Sequence, residues 1–355
     1  MKRWIPIIII FCFLLSTPAL AAETDQVEQA LPPSARAILG DATVEGVSEG
    51  GVWQRIWAWV LSILSDQVSA AARSACVALA VTLLCSLAGA LSESGKASEY
   101  VILGGALAVM AACAGDMRSF LGQAKTALLE LSDFSRALLP TIAASAAAGG
   151  HGAAAAARYA ASALFMDVLM TLGIQIVLPA IYAYAAASTA NAALPSGAMN
   201  GPVKLIGWVC STLLAGLTSV FTLALTVTGA VAGSADKVAG SLTKSAISAA
   251  LPVVGSILAD AADTYVAGAA LVRGAVGVFG LAAAVCVCVG PLLGLGMHYL
   301  MFKVAACVAE PFAEGRLAGL VGNIGTAYGM ALGLVGSAGL MLFVSVVLSA
   351  EMLAR

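Results

Sequence analysis

Between Ala75 and Ala350 the chain is a succession of long apolar stretches that few charges interrupt. This pattern limits the fold more than any motif does. A helix that crosses the roughly 30 Å hydrocarbon layer needs about 20 apolar residues. Inside lipid its backbone polar groups must be satisfied within the structure itself. Six stretches meet the requirement: Ala75 to Leu91, Tyr100 to Gly115, Tyr159 to Ala187, Leu205 to Val231, Gly274 to Met297 and Gly325 to Ala350. The first two are near the minimum length and so belong inside a bundle. Segments 137–148, 236–273 and 298–311 could add further crossings, which leaves about six to eight spans and the side of the C-terminus open. Charged residues make up 10% of the chain, against roughly 25% in soluble domains, too few to cover a water-facing surface. The expected fold is an all-α, polytopic transmembrane helix bundle with amphipathic or re-entrant helices. Abundant alanine and glycine allow close helix approach, and Gly325, Gly329 and Gly333 repeat at the spacing of a tight helix contact. The net charge of −2 excludes a nucleic-acid partner, which needs a basic face; the lipid bilayer is the partner that the composition requires.

The N-terminus has a different design. Lys2 and Arg3 precede the apolar run Trp4 to Leu15, and Ala19-Leu20-Ala21 offers a cleavage site, so residues 1–21 are expected to form a cleavable secretory signal, the alternative being an uncleaved first transmembrane helix. The mature N-terminus then begins outside the cytoplasm. Residues 22–72 form an external acidic segment, in which Trp53 to Ser65, with Trp53, Trp57 and Trp59, makes an interfacial amphipathic helix or an ordinary docking helix. Residues 73–355 are the transmembrane helical domain.

Within that domain, charged residues and prolines are the features to explain. Asp116 to Arg136 alternates charged and apolar residues with helical period, so an amphipathic helix is expected along the surface or across the bundle. Ala137 to Ala148, with Pro140 and the Gly149-Gly150-His151-Gly152 hinge after it, suits a re-entrant or half helix. In the third span, Pro179 frees a carbonyl and bends the helix, and Asp167 is the candidate for a buried acid, its partner being Arg158 or a basic residue on another helix. Turn chemistry makes Asn191 to Pro202 a loop. Asp260 and Asp263 share a helix face; they form either a proton or cation site or the wet edge of a surface helix. Lys303 is expected to snorkel to the interface, and His298, beside Tyr299, to sit there as well.

Sites of known chemistry are not visible. The sequence has no H-E-x-x-H and no G-x-x-x-x-G-K-[ST] pattern. The cysteines lie in or beside apolar runs without C-x-x-C spacing, so neither a disulfide framework nor a metal site is expected. No enzyme activity and no cofactor follow from the residues. A faint echo between Ala137–Ile142 and Ala249–Val254, both with a proline starting a small-residue helix, is either chance or the mark of two related halves.

The segment Lys244 to Pro291 carries a resemblance. Lys244, Leu251-Pro252-Val253-Val254-Gly255, Asp260-Ala261, Gly268, Arg273, Val276-Gly277 and Pro291, followed by Glu310-Pro311 and Arg316, resemble the stage III sporulation protein AE family. The likeness runs more loosely from about Trp53 to the C-terminus, blurred before residue 200 by alanine and glycine. The resemblance implies a multi-pass subunit in the mother-cell membrane around the forespore, part of a secretion-like channel complex needed for forespore development. Its implied partners are ring-forming membrane proteins, a cytoplasmic ATPase and a forespore-side channel protein. The family has no catalytic residues to carry over. Asp167, Pro179, Pro252, Gly255, Asp260, Asp263, Arg273, Gly277 and Pro291 stand as candidate structural or pathway residues. The alternative is an autonomous secondary transporter that uses Asp167 or the Asp260/Asp263 pair.

Overall fold

A computed structural model describes residues 31–33, 35–36, 51–91, 95–148, 152–195, 197–221, 223–224 and 255–351, with the backbone alone described for 255–281 and for some residues near other helix ends. Among these residues every regular element is helical. We number the helices α1 (Gly51–Ala90), α2 (Gly95–Ala148), α3 (Gly152–Leu172), α4 (Leu178–Ala193), α5 (Asn200–Phe221), α6 (Gly255–Ala309) and α7 (Gly315–Glu351), with a π-helical turn, Gly173–Val177, joining α3 to α4. Counting α3, the turn and α4 as one crossing, six helices are long and apolar enough to span a membrane, as the sequence leads one to expect.

The helices form an antiparallel bundle with three turns at one end: α1 to α2, α4 to α5 and α6 to α7. The Glu314 N–H donates to Ser86 Oγ at 2.8 Å, tying the α6–α7 turn to the end of α1. In the α4–α5 turn Gly197 takes φ +60°, a conformation that disfavours a Cβ, and Asn191 Nδ2 donates to Asn200 Oδ1 at 2.9 Å across it. The loop expected from Asn191 is thus shorter, because α4 continues to Ala193 and α5 starts at Asn200.

The helices run further than the apolar spans. α1 carries the expected interfacial helix and the first span as one rod, so the boundary expected at residue 72 falls inside a helix. α2 joins the second span, the amphipathic stretch and Ala137–Ala148 into 54 residues, about 81 Å at 1.5 Å per residue, well beyond a bilayer. The separate surface helix and the re-entrant segment are therefore corrected to parts of one helix. The reason is a single buried stripe at helical spacing: Ile102, Ala106, Val109, Cys113, Met117, Phe120, Ala124, Leu128, Leu131, Phe134 and Leu138. Only the outer face changes character along it. Pro140 lies within the last turns of α2 and does not end it.

Candidate functional site

The α3–α4 connection shows what Pro179 does. A proline cannot donate to the residue four positions back, and its ring crowds that carbonyl. Here the chain widens into a π-turn just before it, and the Leu178 N–H bonds to the Gly173 carbonyl. A π-bulge is one of the recognised ways to absorb a helix irregularity. Gly173 itself faces α7; a Cβ added there would lie 2.8 Å from Leu334 Cδ1. The bend expected at Pro179 and the close approach of α7 are thus one local feature.

Asp167 of α3 is not enclosed by the described residues. Its side chain is 71% exposed and its Oδ1 sits 3.6 Å from Arg136 Nη2 of α2. Arg136 also approaches Asp133 at 4.0 Å. The partner is therefore a basic residue on another helix, one of the two choices the sequence left open, and the acid lies on the outer face of the bundle rather than in its core.

The most enclosed polar group lies elsewhere. His298 of α6 is fully buried, and its Nδ1 is 2.8 Å from the Gly294 carbonyl. Since a carbonyl only accepts, Nδ1 carries the proton in the neutral ring and Nε2 is left as an acceptor. Phe120 of α2 lies against this ring at a centroid distance of 4.1 Å, Tyr328 of α7 at 5.0 Å and Phe302 at 6.5 Å. Among the described residues, neither His298 Nε2 nor Tyr328 Oη has a hydrogen-bond partner. Nearby, Ser74 of α1 donates to the Asp116 carboxylate of α2. This corrects the expectation that His298 sits at the membrane interface. Its neighbours come from α2 and α7, far away in sequence, so nothing local to Met297–Tyr299 could reveal them.

The α6–α7 hairpin bears out the glycine pattern. A Cβ at Gly325 would lie 3.1 Å from Phe302 Cβ, and one at Gly329 2.9 Å from Tyr299 Cδ2. Gly333 belongs to a different surface, 3.8 Å from Leu214 of α5 by the same measure. Lys303 does not simply reach for the interface: Nζ donates to the Gly322 carbonyl at 3.1 Å and to Thr326 Oγ1 at 2.8 Å, binding α6 to α7. Beside it, a cleft of about 750 Å³ opens between α5 and the hairpin, with Lys303, Tyr299 and Thr326 at one end and Leu332 and Leu340 further along.

Of the remaining candidates, Pro291 lies within α6 and does not end it. Gly255, Asp260, Asp263, Arg273 and Gly277 belong to the first half of α6, where the backbone alone is described. The pairing of Asp260 with Asp263, Pro252 and the signal segment 1–21 fall outside the described side chains or residues. Among the described residues, no group of three or more His, Cys, Asp or Glu side chains is placed to hold a metal ion.

Comparison with known proteins supplies the assignment. A family model for stage III sporulation protein AE matches residues 42–352, which takes in all seven helices. The Stage III sporulation protein AE of Bacillus subtilis (strain 168) is 24% identical over 195 residues, 55% of this chain and 49% of that protein, so the aligned region spans about half the relative's length. No solved structure matches the chain. With a family match over most of its length, and over the hairpin, the π-turn and the buried His298 cluster alike, the chain belongs to the stage III sporulation protein AE family.

Proposed function

We infer that this protein is a membrane subunit of the sporulation channel or secretion-like complex that connects mother cell and forespore, and that it serves forespore development. The family match over residues 42–352 carries this reading. The architecture supports it: a multi-pass bundle whose helices outreach the bilayer offers surface both in lipid and beyond it to neighbouring subunits. In this reading the chain acts in the mother-cell membrane around the forespore, alongside ring-forming membrane proteins, a cytoplasmic ATPase and a forespore-side channel protein, and it catalyses no reaction itself. For the transporter alternative, Asp167 faces outward, while the side chains of Asp260 and Asp263 lie outside the described residues.

Affinity purification of a tagged, full-length chain from sporulating cells tests the proposal. Recovery of the ring and ATPase subunits at fixed ratio is the expected result. A chain that purifies alone from gently solubilised membranes, and that moves a solute by itself in liposomes, would overturn it.

A further inference from the structure

The bundle has two unlike sides at one level. Five contacts fix that level. Phe120 of α2 packs against His298 and Tyr328. Arg136 of α2 reaches Asp167 of α3. Close to Asp167, Phe165 meets Phe221 of α5 edge-on at 5.6 Å, and Ser162 shares a 2.9 Å hydrogen bond with Ser345 of α7. The part of α2 from Arg118 to Arg136 therefore runs beside α7 from Tyr328 toward Ser345 and beside the end of α5. The Ser74–Asp116 bond aligns α1 with it, from Arg73 back toward Trp57.

At this level α5 and α7 expose Val220, Leu223, Leu340 and Phe343, and α3, at the border with α2, exposes Leu164 and Val168 beside the Arg136-paired Asp167. From Leu317 to Val346, α7 contains no Asp, Glu, Lys or Arg. The α1–α2 hairpin differs: alongside Trp57, Leu61 and Leu129 it exposes Asp66, Arg73, Arg118 and Lys125, with serines, Gln123 and Thr126 between them. None of these four charges takes part in an ion pair among the described residues. Nearer the turn, the outer faces of the same two helices are apolar: Val77, Leu84 and Leu87 on α1, Leu103 and Leu107 on α2. Charged side chains at membrane depth face a bundle interior or a water-filled space, since exposing them to lipid is costly.

We propose that the outer face of the α1–α2 hairpin from Asp116 to Arg136, with the matching face of α1, borders water at bilayer depth and lines an aqueous path for ions or other polar solutes, while α5 and α7 face lipid at that level. The proposal deepens the channel-subunit reading and rests on it for the identity of whatever closes the other side of the path. The hydration of the face can be measured without knowing that partner.

The test is cysteine accessibility in membrane vesicles from cells that express the full-length chain, with a membrane-impermeant maleimide on both sides and labelling mapped site by site by mass spectrometry, so that native cysteines do not interfere. Single substitutions are Ser69→Cys, Ser119→Cys and Gln123→Cys on the polar face, and Val220→Cys and Leu340→Cys on the apolar face. All five positions are exposed, so folding should survive in most of them. Reagent attack needs the hydrated thiolate, so the polar-face sites should label at least about tenfold faster than the apolar-face sites. Silent polar-face cysteines that label only after denaturation would overturn the proposal, because that face would then be packed dry. Equal labelling at Leu340 would also overturn it, by placing this whole level outside the bilayer. Loss of co-purification would count against the channel reading but leave this result standing.

Discussion

Replacing Gly325 with alanine should loosen the α6–α7 hairpin, and the size of the effect can be worked from the contacts. The new methyl would lie 3.1 Å from Phe302 Cβ and 3.5 Å from both Lys303 N and the Tyr299 carbonyl oxygen. Carbon atoms prefer roughly 3.5–4.0 Å. Phe302 Cβ is fixed to the backbone, so no rotamer change clears it and α6 must withdraw by about half an ångström. Overpacking of this kind costs about 1–3 kcal/mol. Alanine also gains about 1 kcal/mol of helix propensity over glycine, which must be subtracted with a control. Gly319 supplies it: it is on the same helix, exposed, and has nothing within 4 Å of an added Cβ. Gly325→Ala should therefore unfold more readily than Gly319→Ala by about 1–3 kcal/mol, or about 5- to 150-fold in the unfolding equilibrium. Reversible unfolding of the purified chain in mixed micelles, read by far-UV circular dichroism, measures the difference. If Gly325→Ala is as stable as Gly319→Ala, the close-contact reading of the glycine repeat is wrong.

Other substitutions bear on the remaining parts of the account. Removing both Arg136 and Asp167 in a double-mutant cycle should show a coupling below about 1 kcal/mol, as for a solvent-screened pair; a coupling above about 3 kcal/mol would mean the pair is desolvated, against a hydrated face. His298→Ala should destabilise the bundle on the order of 3 kcal/mol, since it opens a cavity among Phe120, Phe302 and Tyr328, and His298→Leu should cost clearly less; equal costs in thermal unfolding would show that the imidazole's bond to Gly294 matters more than its volume. Gly173→Val should cost about 1–3 kcal/mol in the same assay, because the added bulk meets Leu334, whereas Gly104→Ala, with open space around it, should cost nothing; a neutral Gly173→Val would separate the π-turn from α7 packing.

What was legible in the sequence follows from which forces act locally. Apolar length is a local property, so the spans could be found and the all-α membrane fold with them. Gly325 and Gly329 were also readable, because a four-residue repeat of the smallest side chain has few uses other than close contact. The continuity of α2 was not, although its signal was present. The eye follows the outer face, where Asp116, Arg118 and Lys125 interrupt the apolar pattern. The stripe that decides the packing, from Ile102 through Met117 to Leu138, never breaks. His298 and Asp167 went astray for a common physical reason. Burial depends on partners from distant helices: Phe120 and Tyr328 enclose the histidine, while none of the described helices covers the aspartate. Pro179 was readable as an irregularity, but its form as a π-turn depends on how closely Gly173 lets α7 approach.

The claim on which the account turns is that this bundle works in sporulation as part of the mother cell–forespore connection. Deleting its gene and following a reporter of late forespore gene expression in single sporulating cells tests it most directly. The account predicts that engulfment begins, that the reporter stays dark, and that the full-length chain restores it. A deletion strain with normal reporter signal and normal spore yield would contradict it.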